Sequence, residues 1–303
     1  MFKHLLVPLD GSKLAEASLP AAVTLARSLG ASVKLLHIIE KGVSPEIHGD
    51  RHLTNEEEAC KYLDQVSQTF FPPEVEVETH VHTEEVSDIT RSIVEHTGEF
   101  APDLIIMCVH GAGGWRDLVV GSIAQQVIGR ARTPILLVKA GEAGVVATTA
   151  FKKILLPLDG DRDHEQCLPV VAALAKQFEA SLSLMTVVHT LGTLPGERAA
   201  TGWMLPGATR AILDIDEQTA SEYLEALAVQ ERANGLKVGT FVKRGDPAQQ
   251  IISAAQPQNF DLIVLGTHGK GGMKAFWAGS VAPKVVIEAK IPLLLVPVKK
   301  GKA

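Results

Sequence analysis

Cysteine is scarce in this sequence: only Cys60, Cys108 and Cys167 occur among 303 residues, and no two of them form a C-x-x-C pair. This scarcity argues against a disulfide framework and against a zinc–thiolate site. No apolar run approaches the ~18 residues of a membrane-spanning helix, and the sequence shows no signal peptide. We therefore expect a protein of the reducing cytoplasm that does not enter a membrane.

Positive charge is also sparse. The 29 lysines and arginines stand against 35 acidic residues, which gives a net charge of −6 at pH 7. A mildly acidic chain without Lys/Arg runs matches neither a nucleic-acid backbone nor an anionic membrane surface, so no nucleic acid and no membrane is predicted as a partner. The 46% apolar content is ordinary for a globular protein, and the length predicts about two domains.

The sequence contains two copies of one pattern. Residues 2–11 (FKHLLVPLDG) and 151–160 (FKKILLPLDG) are identical at seven of ten positions, at an offset of 149. Residues 103–114 and 261–272 are identical at seven of twelve positions, at an offset of 158. Two collinear matches of this quality indicate an internal repeat.

A third match extends the repeat to its end. Residues 121–138 and 279–296 share nine of eighteen positions, again at an offset of 158. The sequence therefore predicts a tandem duplication, with one domain at 1–140 and another at 151–303. The small, nearly uncharged residues between them predict a flexible linker.

Each copy alternates short β-rich apolar runs with longer amphipathic runs. The predicted strands are residues 5–9, 33–39, 75–81, 104–109 and 135–138 in the first copy, and 154–158, 182–188, 238–242, 262–265 and 293–296 in the second. The predicted helices of the first copy are residues 12–29, 55–70, 87–97 and 122–131, with Asn55 and Ser122 as N-caps and Gly30 as a C-terminal stop. This alternation predicts an α/β fold of two doubly wound domains, each with a five-stranded parallel sheet.

The second copy is longer than the first, mainly through residues 192–210. The glycines and prolines of this segment predict an irregular surface insertion without a regular element. A mobile flap that carries Trp203 and Met204 over a ligand site is the alternative interpretation.

Two chemically suggestive features follow the predicted strands of each copy, where open parallel sheets bind ligands. One is the acid after the first strand, Asp10 or Asp159; the other is a glycine-rich loop, which in the second copy runs from Gly266 to Gly279-Ser280. Glycine lets the backbone approach a ligand, and a Gly-Ser pair before a helix presents free N–H groups to a phosphate. The acid can accept hydrogen bonds from a ribose, so the pattern favours a nucleotide over a loop that merely needs glycine.

These residues resemble a known family. Gly266-x2-Gly269-x9-Gly279-Ser280 is similar to the ATP-binding motif of the universal stress proteins, in which two glycines three apart are followed, nine residues later, by Gly-Ser or Gly-Thr. The segments LLPLD (155–159), IPLLLV (291–296) and GDPA (245–248) also resemble that family. The resemblance covers both copies. It implies Rossmann-like domains of the adenine nucleotide alpha hydrolase type, packed as an intramolecular pseudo-dimer.

The resemblance also implies an adenine-nucleotide site in the second copy. Asp159 would hold the nucleoside end, with the backbone at Pro157, Leu158 and Val187 around the base. The phosphates would lie against the glycine-rich loop and the helix that follows it, at Gly266, His268, Gly269, Lys270, Gly279, Ser280, Val281 and Ala282. ATP, ADP or AMP is the implied ligand, with Mg²⁺ or Mn²⁺ on the phosphates as an open addition.

The first copy departs from the motif. The matching positions are Asp10, Ile38, Gly111, Gly121 and Ser122, but Cys108 replaces the first glycine and Ala112 replaces the lysine. We expect the Cys108 side chain to point into the space where the backbone should approach the ligand. The first site is therefore predicted to bind nucleotide more weakly than the second.

The remaining histidines and cysteines offer weaker patterns. His80 and His82 lie two apart on a predicted strand and so face one side, where a metal could bind, but solvated histidines and no metal site are predicted. Cys108, at the end of an apolar strand, is predicted to be an inert packed thiol, with a redox thiol as the alternative. No catalytic residue is predicted.

Three functions stay open. The resemblance implies an ATP-binding regulatory protein of the stress response, with a regulatory protein partner that the sequence does not identify. A slow ATPase is the second reading, although the chain has no G-x-x-x-x-G-K-[ST] motif and shows no carboxylate for the γ-phosphate. The third is an assembly module without nucleotide binding.

The last strand of each copy is predicted to be an exposed edge that needs a partner. Because universal stress proteins commonly dimerise through this edge, the resemblance implies that residues 135–138 pair antiparallel with residues 293–296 inside one chain. A further homodimer of whole chains is left open.

Overall fold

The computed structural model of the chain describes residues 1–40, 42, 46–47, 50–51, 53–86, 88–109, 122–139, 151–194, 196–256, 259–268, 279 and 281–299. The chain forms two compact units. Unit one comprises Met1–Ala150 together with His268–Ala278 and Pro292–Pro297, and unit two comprises Phe151–Thr267, Gly279–Ile291 and Val298–Ala303.

In each copy, helices separate the successive strands of the large sheet, as the sequence predicts. The strands are β1 (His4–Pro8), β2 (Ser32–Glu40), β3 (Glu46–Ile47), β4 (Asp50–Arg51), β5 (Val77–Val86), β6 (Leu104–Val109), β7 (Ile135–Lys139), β8 (Lys153–Pro157), β9 (Ser181–Val188), β10 (Lys237–Arg244), β11 (Leu262–His268) and β12 (Leu293–Val298). The helices are α1 (Lys13–Glu16), α2 (Leu19–Leu29), α3 (Glu56–Phe70), α4 (Ile89–Phe100), α5 (Ser122–Arg130), α6 (Leu168–Phe178), α7 (Gly196–Met204), α8 (Pro206–Ala233), α9 (Pro247–Ala254) and α10 (Ala282–Glu288). A 3-10 helix spans His164–Cys167.

The sheet of unit one has the strand order β12–β7–β6–β1–β2–β5. The pairs β1–β2, β1–β6, β2–β5 and β6–β7 are parallel. Strand β12 pairs antiparallel with β7, with Leu293 opposite Leu137 and Leu295 opposite Ile135. This pairing confirms the predicted association of the closing strands of the two copies.

The sheet of unit two has the strand order β11–β8–β9–β10. The pairs β8–β9, β9–β10 and β8–β11 are parallel. Strand β12 belongs to the second copy by sequence, although it lies in unit one. Counted by sequence, each copy therefore contributes the five predicted strands. The first copy also contains the short antiparallel pair β3–β4. The two copies thus build the same doubly wound arrangement.

The first strand of each copy forms the centre of its core. Leu5, Leu6 and Val7 of β1 are buried, and so are Ile154 and Leu155 of β8. Neighbouring residues on a strand point to opposite faces, so consecutive buried residues mean that both faces of the sheet are covered. This is the pattern expected for parallel sheets with helices on either side.

Local capping signals in the sequence set several helix ends. Asn55 caps α3 by accepting a hydrogen bond from the backbone N–H of Glu58, as predicted. Gly30 ends α2 in the left-handed conformation, with φ of 58°. The predicted helix over residues 12–29 is instead two helices, because the chain turns at Ala17–Ser18 and Pro20 restarts it in a first turn, where a missing N–H costs little.

The prediction of an irregular insertion at residues 192–210 is wrong. Helix α7 covers Gly196–Met204, and α8 begins at Pro206 and runs for 28 residues. Pro206 occupies the first turn of α8, where proline is tolerated, so it starts a helix rather than preventing one. Trp203 and Met204 lie at the end of α7 and are exposed. No helix in the described part of the chain has the length and apolar character to span a bilayer.

Candidate functional site

The strand order of unit two defines where a ligand would bind. From β8 the chain continues to β9 on one side, whereas β11 lies on the other side of β8. The order of strands therefore reverses between β8 and β11, and ligands of open α/β sheets bind beyond the carboxyl ends of the strands at such a point. Asp159 follows β8, and β11 carries Gly266, the first glycine of the predicted loop. The topology thus brings Asp159 and Gly266, both in unit two, to one end of the sheet.

Asp159 is held by two hydrogen bonds to one of its oxygens. Oδ1 accepts from the backbone N–H of Asp161 at 3.0 Å and from Nδ1 of His164 at 2.8 Å. The Asp159 side chain is 62% exposed and that of His164 is 18% exposed. The carboxylate is thus fixed in position while most of its surface stays open to a ligand.

The two groups shift each other's pKa in favour of an ion pair. Partial burial would raise the pKa of Asp159, but the hydrogen bonds from His164 and Asp161 outweigh it and lower that pKa. The hydrogen bond to Asp159 raises the pKa of His164 against the opposing effect of its own burial. Asp159 is therefore an ionised hydrogen-bond acceptor at neutral pH.

His164 also accounts for the glycine at position 266. A β-carbon on Gly266, inside β11, would stand 2.8 Å from Cδ2 of His164 and 3.3 Å from both Sγ of Cys167 and Cγ1 of Val298. Because atoms do not approach so closely without displacement, glycine at this position makes room for the imidazole. The sequence assigns Gly266 to phosphate binding, and the structure adds this packing requirement.

The 3-10 helix that carries His164 is held by hydrogen bonds to two other parts of the chain. The Tyr223 hydroxyl of α8 donates to Oε1 of Glu165 at 3.1 Å. Gln166 and Lys299 exchange two hydrogen bonds, with Nε2 of Gln166 donating to the Lys299 carbonyl at 2.7 Å and the Lys299 N–H donating to Oε1 of Gln166 at 3.1 Å. Burial, together with the charge of Glu165, raises the pKa of Tyr223, so its hydroxyl stays protonated and continues to donate. These bonds restrict the movement of His164 and Asp159.

The residues assigned to the base lie at the ends of β8 and β9. Pro157 and Val187 are half-buried, and Leu158 is buried. The Leu158 N–H donates to the Met185 carbonyl at 2.8 Å, and the Leu158 carbonyl accepts from the buried hydroxyl of Thr186 at 2.9 Å. The backbone directly before Asp159 is therefore fixed to β9.

One buried polar atom in this region lacks a protein partner. Nδ1 of His189, directly after β9, makes no hydrogen bond within the part of the chain that the structure describes. Buried polar atoms are normally satisfied by protein, water or ligand.

The residues assigned to the phosphates are placed only in part. His268 is the last residue of β11, Gly279 is exposed, and Val281 precedes Ala282, the first residue of α10. Pro283 lies in the first turn of that helix, where it tolerates the missing N–H. Gly269, Lys270, Ser280 and the His268 side chain lie outside the described residues. Their role in phosphate binding stays a prediction.

The first copy arranges its acid differently. Oδ1 of Asp10 accepts from the backbone N–H of Ser12 at 2.9 Å and from its hydroxyl at 2.6 Å. The Ser12 hydroxyl oxygen in turn accepts from the N–H of Ala15 and caps α1. Asp10 therefore supports a helix start, whereas Asp159 binds an imidazole.

The backbone before Asp10 is also held by a different side chain. The buried His37 donates from Nδ1 to the Leu9 carbonyl at 2.8 Å, and by the offset of 149 it is the equivalent of Thr186. Ile38, which follows it in β2, is buried. A histidine and a threonine thus satisfy the same carbonyl in the two copies.

The remaining residues of the first site are placed in part. Cys108 is half-buried, and its Sγ donates to the Val109 carbonyl at 3.6 Å. Burial lowers the pKa of Lys139, at the end of the neighbouring strand β7, to about 8. Ser122 begins α5, and Gly111, Ala112 and Gly121 lie outside the described residues. Whether the first site binds nucleotide stays a prediction.

A cluster of three histidines lies elsewhere in unit one. His80 and His82 of β5 both contact the ring of His96 on α4, with ring centroids 5.1 Å and 5.0 Å apart. This confirms that His80 and His82 face one side of the strand. The sequence does not predict the third member, because the pairing of a helix face with a strand face depends on tertiary packing.

The sequence interpretation also misses His164, His189 and the pair His37 and Thr186. A comparison of the two copies at their fixed offsets contains part of the signal. At these offsets His164 corresponds to Ala15, and Gly266 corresponds to Cys108. In the second copy, the residue after the first strand is large (His164) and the residue in the fourth strand has no side chain (Gly266). In the first copy, the residue after the first strand is small (Ala15) and the residue in the fourth strand is larger (Cys108). This exchange of size is what contact between the two positions would produce.

Comparison with known proteins agrees with this architecture. A family model described as the universal stress protein family matches residues 1–139 and again residues 150–297. A universal stress protein of Methanocaldococcus jannaschii is 32% identical over 152 residues, which cover 50% of this chain and 84% of that protein. A universal stress protein of Mycolicibacterium smegmatis is 24% identical over 302 residues, which cover 96% of each chain.

The crystal structure of a universal stress protein from Archaeoglobus fulgidus shares the fold. It aligns with a TM-score of 0.70 and 17% identity over 99% of this chain and 97% of that one. The family model accounts for nearly the whole sequence, once in each copy. The chain therefore belongs to the universal stress protein family and carries two copies of its domain in tandem.

Proposed function

We propose that this protein is an adenine-nucleotide-binding regulator of the stress response, with its principal site in the second copy. The observation that supports this most is the carboxylate of Asp159 at the point where the strand order reverses. It is ionised, exposed and held in place by His164. An ionised carboxylate only accepts hydrogen bonds, and the hydroxyls of a ribose can donate them.

The surroundings of Asp159 suit a nucleoside. Pro157 and Val187, near the ends of β8 and β9, offer half-buried apolar surface on which a base can lie. Lys270 and the glycines of the loop would then contact the phosphates, with Mg²⁺ or Mn²⁺ as counter-ion.

The proposed role is binding rather than turnover. A nucleotide at this position would change the surface offered to a regulatory protein. We place this activity in the cytoplasm and assign no catalytic residue. A homodimer of whole chains is compatible with this role but is not required by it.

Calorimetric titration of the full chain with ATP, with and without Mg²⁺, tests the proposal. Asp159→Asn keeps the shape of the side chain but removes its charge. A hydrogen bond to a charged group contributes about 1.5–3 kcal/mol, so we expect ATP binding at the second site to weaken roughly 10- to 150-fold. Asp10→Asn is the matched control, because it changes the equivalent acid of the first copy.

The stoichiometry separates the two sites. One ATP per chain, lost in Asp159→Asn and in Gly279→Asp but kept in Asp10→Asn, would assign binding to the second copy. Two ATP per chain, with one lost in each acid variant, would show that both copies bind. A folded wild-type chain that binds no adenine nucleotide would overturn the proposal and favour an assembly module.

A further inference from the structure

We infer that His80, His82 and His96 of unit one form a binding site for a divalent transition-metal ion, with Zn²⁺ as the ion that fits best. His80 and His82 project from β5, and His96 projects from α4. One ligand nitrogen from each ring lies within 4.8 Å of the other two. Imidazole nitrogen is a preferred ligand of Zn²⁺, Cu²⁺ and Ni²⁺.

The three rings are close to the arrangement that a metal needs. Four-coordinate Zn²⁺ with Zn–N distances of 2.0–2.1 Å places its ligand nitrogens about 3.3 Å apart. The rings of His80 and His82 must therefore move toward His96 by roughly an ångström. Both side chains are half-buried on β5, the last strand of its sheet.

His96 is already oriented as a ligand. Its side chain is buried, and Nδ1 donates a hydrogen bond to the Ser92 carbonyl one turn earlier in α4, at 2.7 Å. This bond fixes the tautomer in which Nε2 carries the lone pair. Metal-binding histidines characteristically donate their second nitrogen to a carbonyl or carboxylate in this way.

An acidic group lies close to one of the three rings. Oε2 of Glu99 lies 3.8 Å from Nε2 of His96, which is too long for a hydrogen bond but close enough for both atoms to bind one ion. Three imidazoles with a carboxylate or a water in the fourth position are a recurrent zinc coordination. The Glu99 side chain is largely exposed and can adjust to either arrangement.

The charges around the cluster do not oppose a cation strongly. Lys34 of β2 is the nearby positive group, and its Nζ is paired with Oε2 of Glu78 at 2.6 Å and lies 4.1 Å from the centroid of the Phe100 ring.

This site is separate from the proposed nucleotide site. In unit one, β2 lies between β5 and β1, which carries Asp10 at its end. A metal bound here would join the outer strand β5 to α4. A ligand that binds only the folded state adds stability that grows with its concentration, so the ion would stabilise unit one against unfolding.

Titration of the full-length, untagged, metal-free chain with ZnCl₂ tests the inference. We expect one Zn²⁺ per chain by calorimetry and a rise in the unfolding temperature of the chain. The double variant His80→Gln/His82→Gln should lower Zn²⁺ affinity at least tenfold, since even the loss of an outer partner costs 10- to 100-fold. His4→Gln, an exposed histidine on β1, is the matched control and should bind Zn²⁺ as the wild type does.

We replace the half-buried His80 and His82 rather than His96, because replacement of the buried His96 can unfold α4. Circular dichroism and ATP titration of the double variant check that it is folded and that the nucleotide site is unaffected. Binding of Co²⁺ in place of Zn²⁺ should give the visible absorption of a four-coordinate site, lost in the same variant. Zn²⁺ binding that is absent in the wild type, or equal in the wild type and the double variant, would overturn the inference.

Discussion

The imidazole of His164 lies against the backbone of Gly266, so that a β-carbon on Gly266 would stand 2.8 Å from Cδ2 of the ring. The ring cannot swing away freely, because its Nδ1 donates to Asp159 at 2.8 Å. Gly266 therefore supports the position of Asp159 through His164. Gly266, His164 and Asp159 are therefore parts of one packed arrangement.

This contact predicts the effect of a single methyl group at position 266. Gly266→Ala should destabilise unit two by about 1–3 kcal/mol, the usual range for overpacking. His164→Ala in the same chain should restore most of that loss, since the obstructing ring is gone. Urea unfolding of the two single variants and the double variant gives the coupling free energy, which we expect to be at least about 1 kcal/mol.

A glycine in open surroundings provides the control for this cycle. Gly239 lies in β10, and a β-carbon there would meet only Oγ of Ser183 at 3.9 Å. Gly239→Ala should therefore leave the unfolding midpoint nearly unchanged. Two results would contradict the packing of His164 on Gly266. One is a Gly266→Ala variant as stable as the wild type, and the other is a double variant in which His164→Ala does not restore the lost stability.

The ion pair between Asp159 and His164 predicts a pH dependence. The folded-state pKa of His164 is above its ordinary value of 6.5, so its contribution to stability is complete below pH 6.5 and is lost as pH rises through the folded pKa. The pKa of Asp159 is below its ordinary value of 3.8, so its contribution is complete above pH 3.8 and is lost as pH falls through the folded pKa. The pair should stabilise the chain most between about pH 4 and 6.5.

An NMR titration of the His164 ring measures this directly. The pKa should be above 6.5 in the wild type and should fall in Asp159→Asn, where the carboxylate charge is removed. Because Asp159 is largely exposed, the associated change in stability should be no more than about 1 kcal/mol. The same imidazole pKa in both proteins would rule out the ion pair as its cause.

Much of the fold can be predicted from the sequence because the sequence contains an internal repeat. The matched segments at residues 2–11 and 151–160 become β1 and β8, each buried on both faces. Asn55 and Gly30 end their helices as their side-chain chemistry predicts. The pairing of β7 with β12 follows from the need of an edge strand for a partner together with the family resemblance.

The errors arise where tertiary context decides between local alternatives. Gly202 and Pro206 are helix breakers by composition, yet Gly202 packs inside α7 close to Leu194 and Pro206 stands where α8 starts. His164 reaches Asp159 only because position 266, about a hundred residues away, has no side chain. Such dependence on a distant residue leaves no periodic signal in the sequence.

The antiparallel pairing of β7 with β12 predicts a specific cross-link. Leu136 and Leu294 are directly opposite each other, and opposed residues of an antiparallel pair have Cα atoms about 4.5–5.5 Å apart, within disulfide range. Leu136→Cys/Leu294→Cys should therefore oxidise to an intramolecular disulfide, detected as faster migration without reductant and by mass spectrometry. Leu137→Cys/Leu295→Cys is the control, because these residues are diagonal rather than opposed. Cross-linking only between chains would contradict a pairing within one chain.

The buried lysine at the end of β7 predicts a second, opposite pH dependence. Burial lowers the pKa of Lys139 from 10.5 to about 8. Below pH 8 the charged lysine is buried on folding, which lowers the stability of the folded chain. This loss of stability disappears as pH rises from 8 to 10.5. Lys139→Met should be more stable than the wild type at pH 7, by up to roughly 3 kcal/mol for a shift of this size, and the advantage should shrink steadily toward pH 10. Urea unfolding at several pH values measures the difference, with Lys237→Met, an exposed lysine of β10, as the control that should show no such trend. An advantage that is constant across this range would mean that packing, and not the charge of Lys139, distinguishes the two side chains.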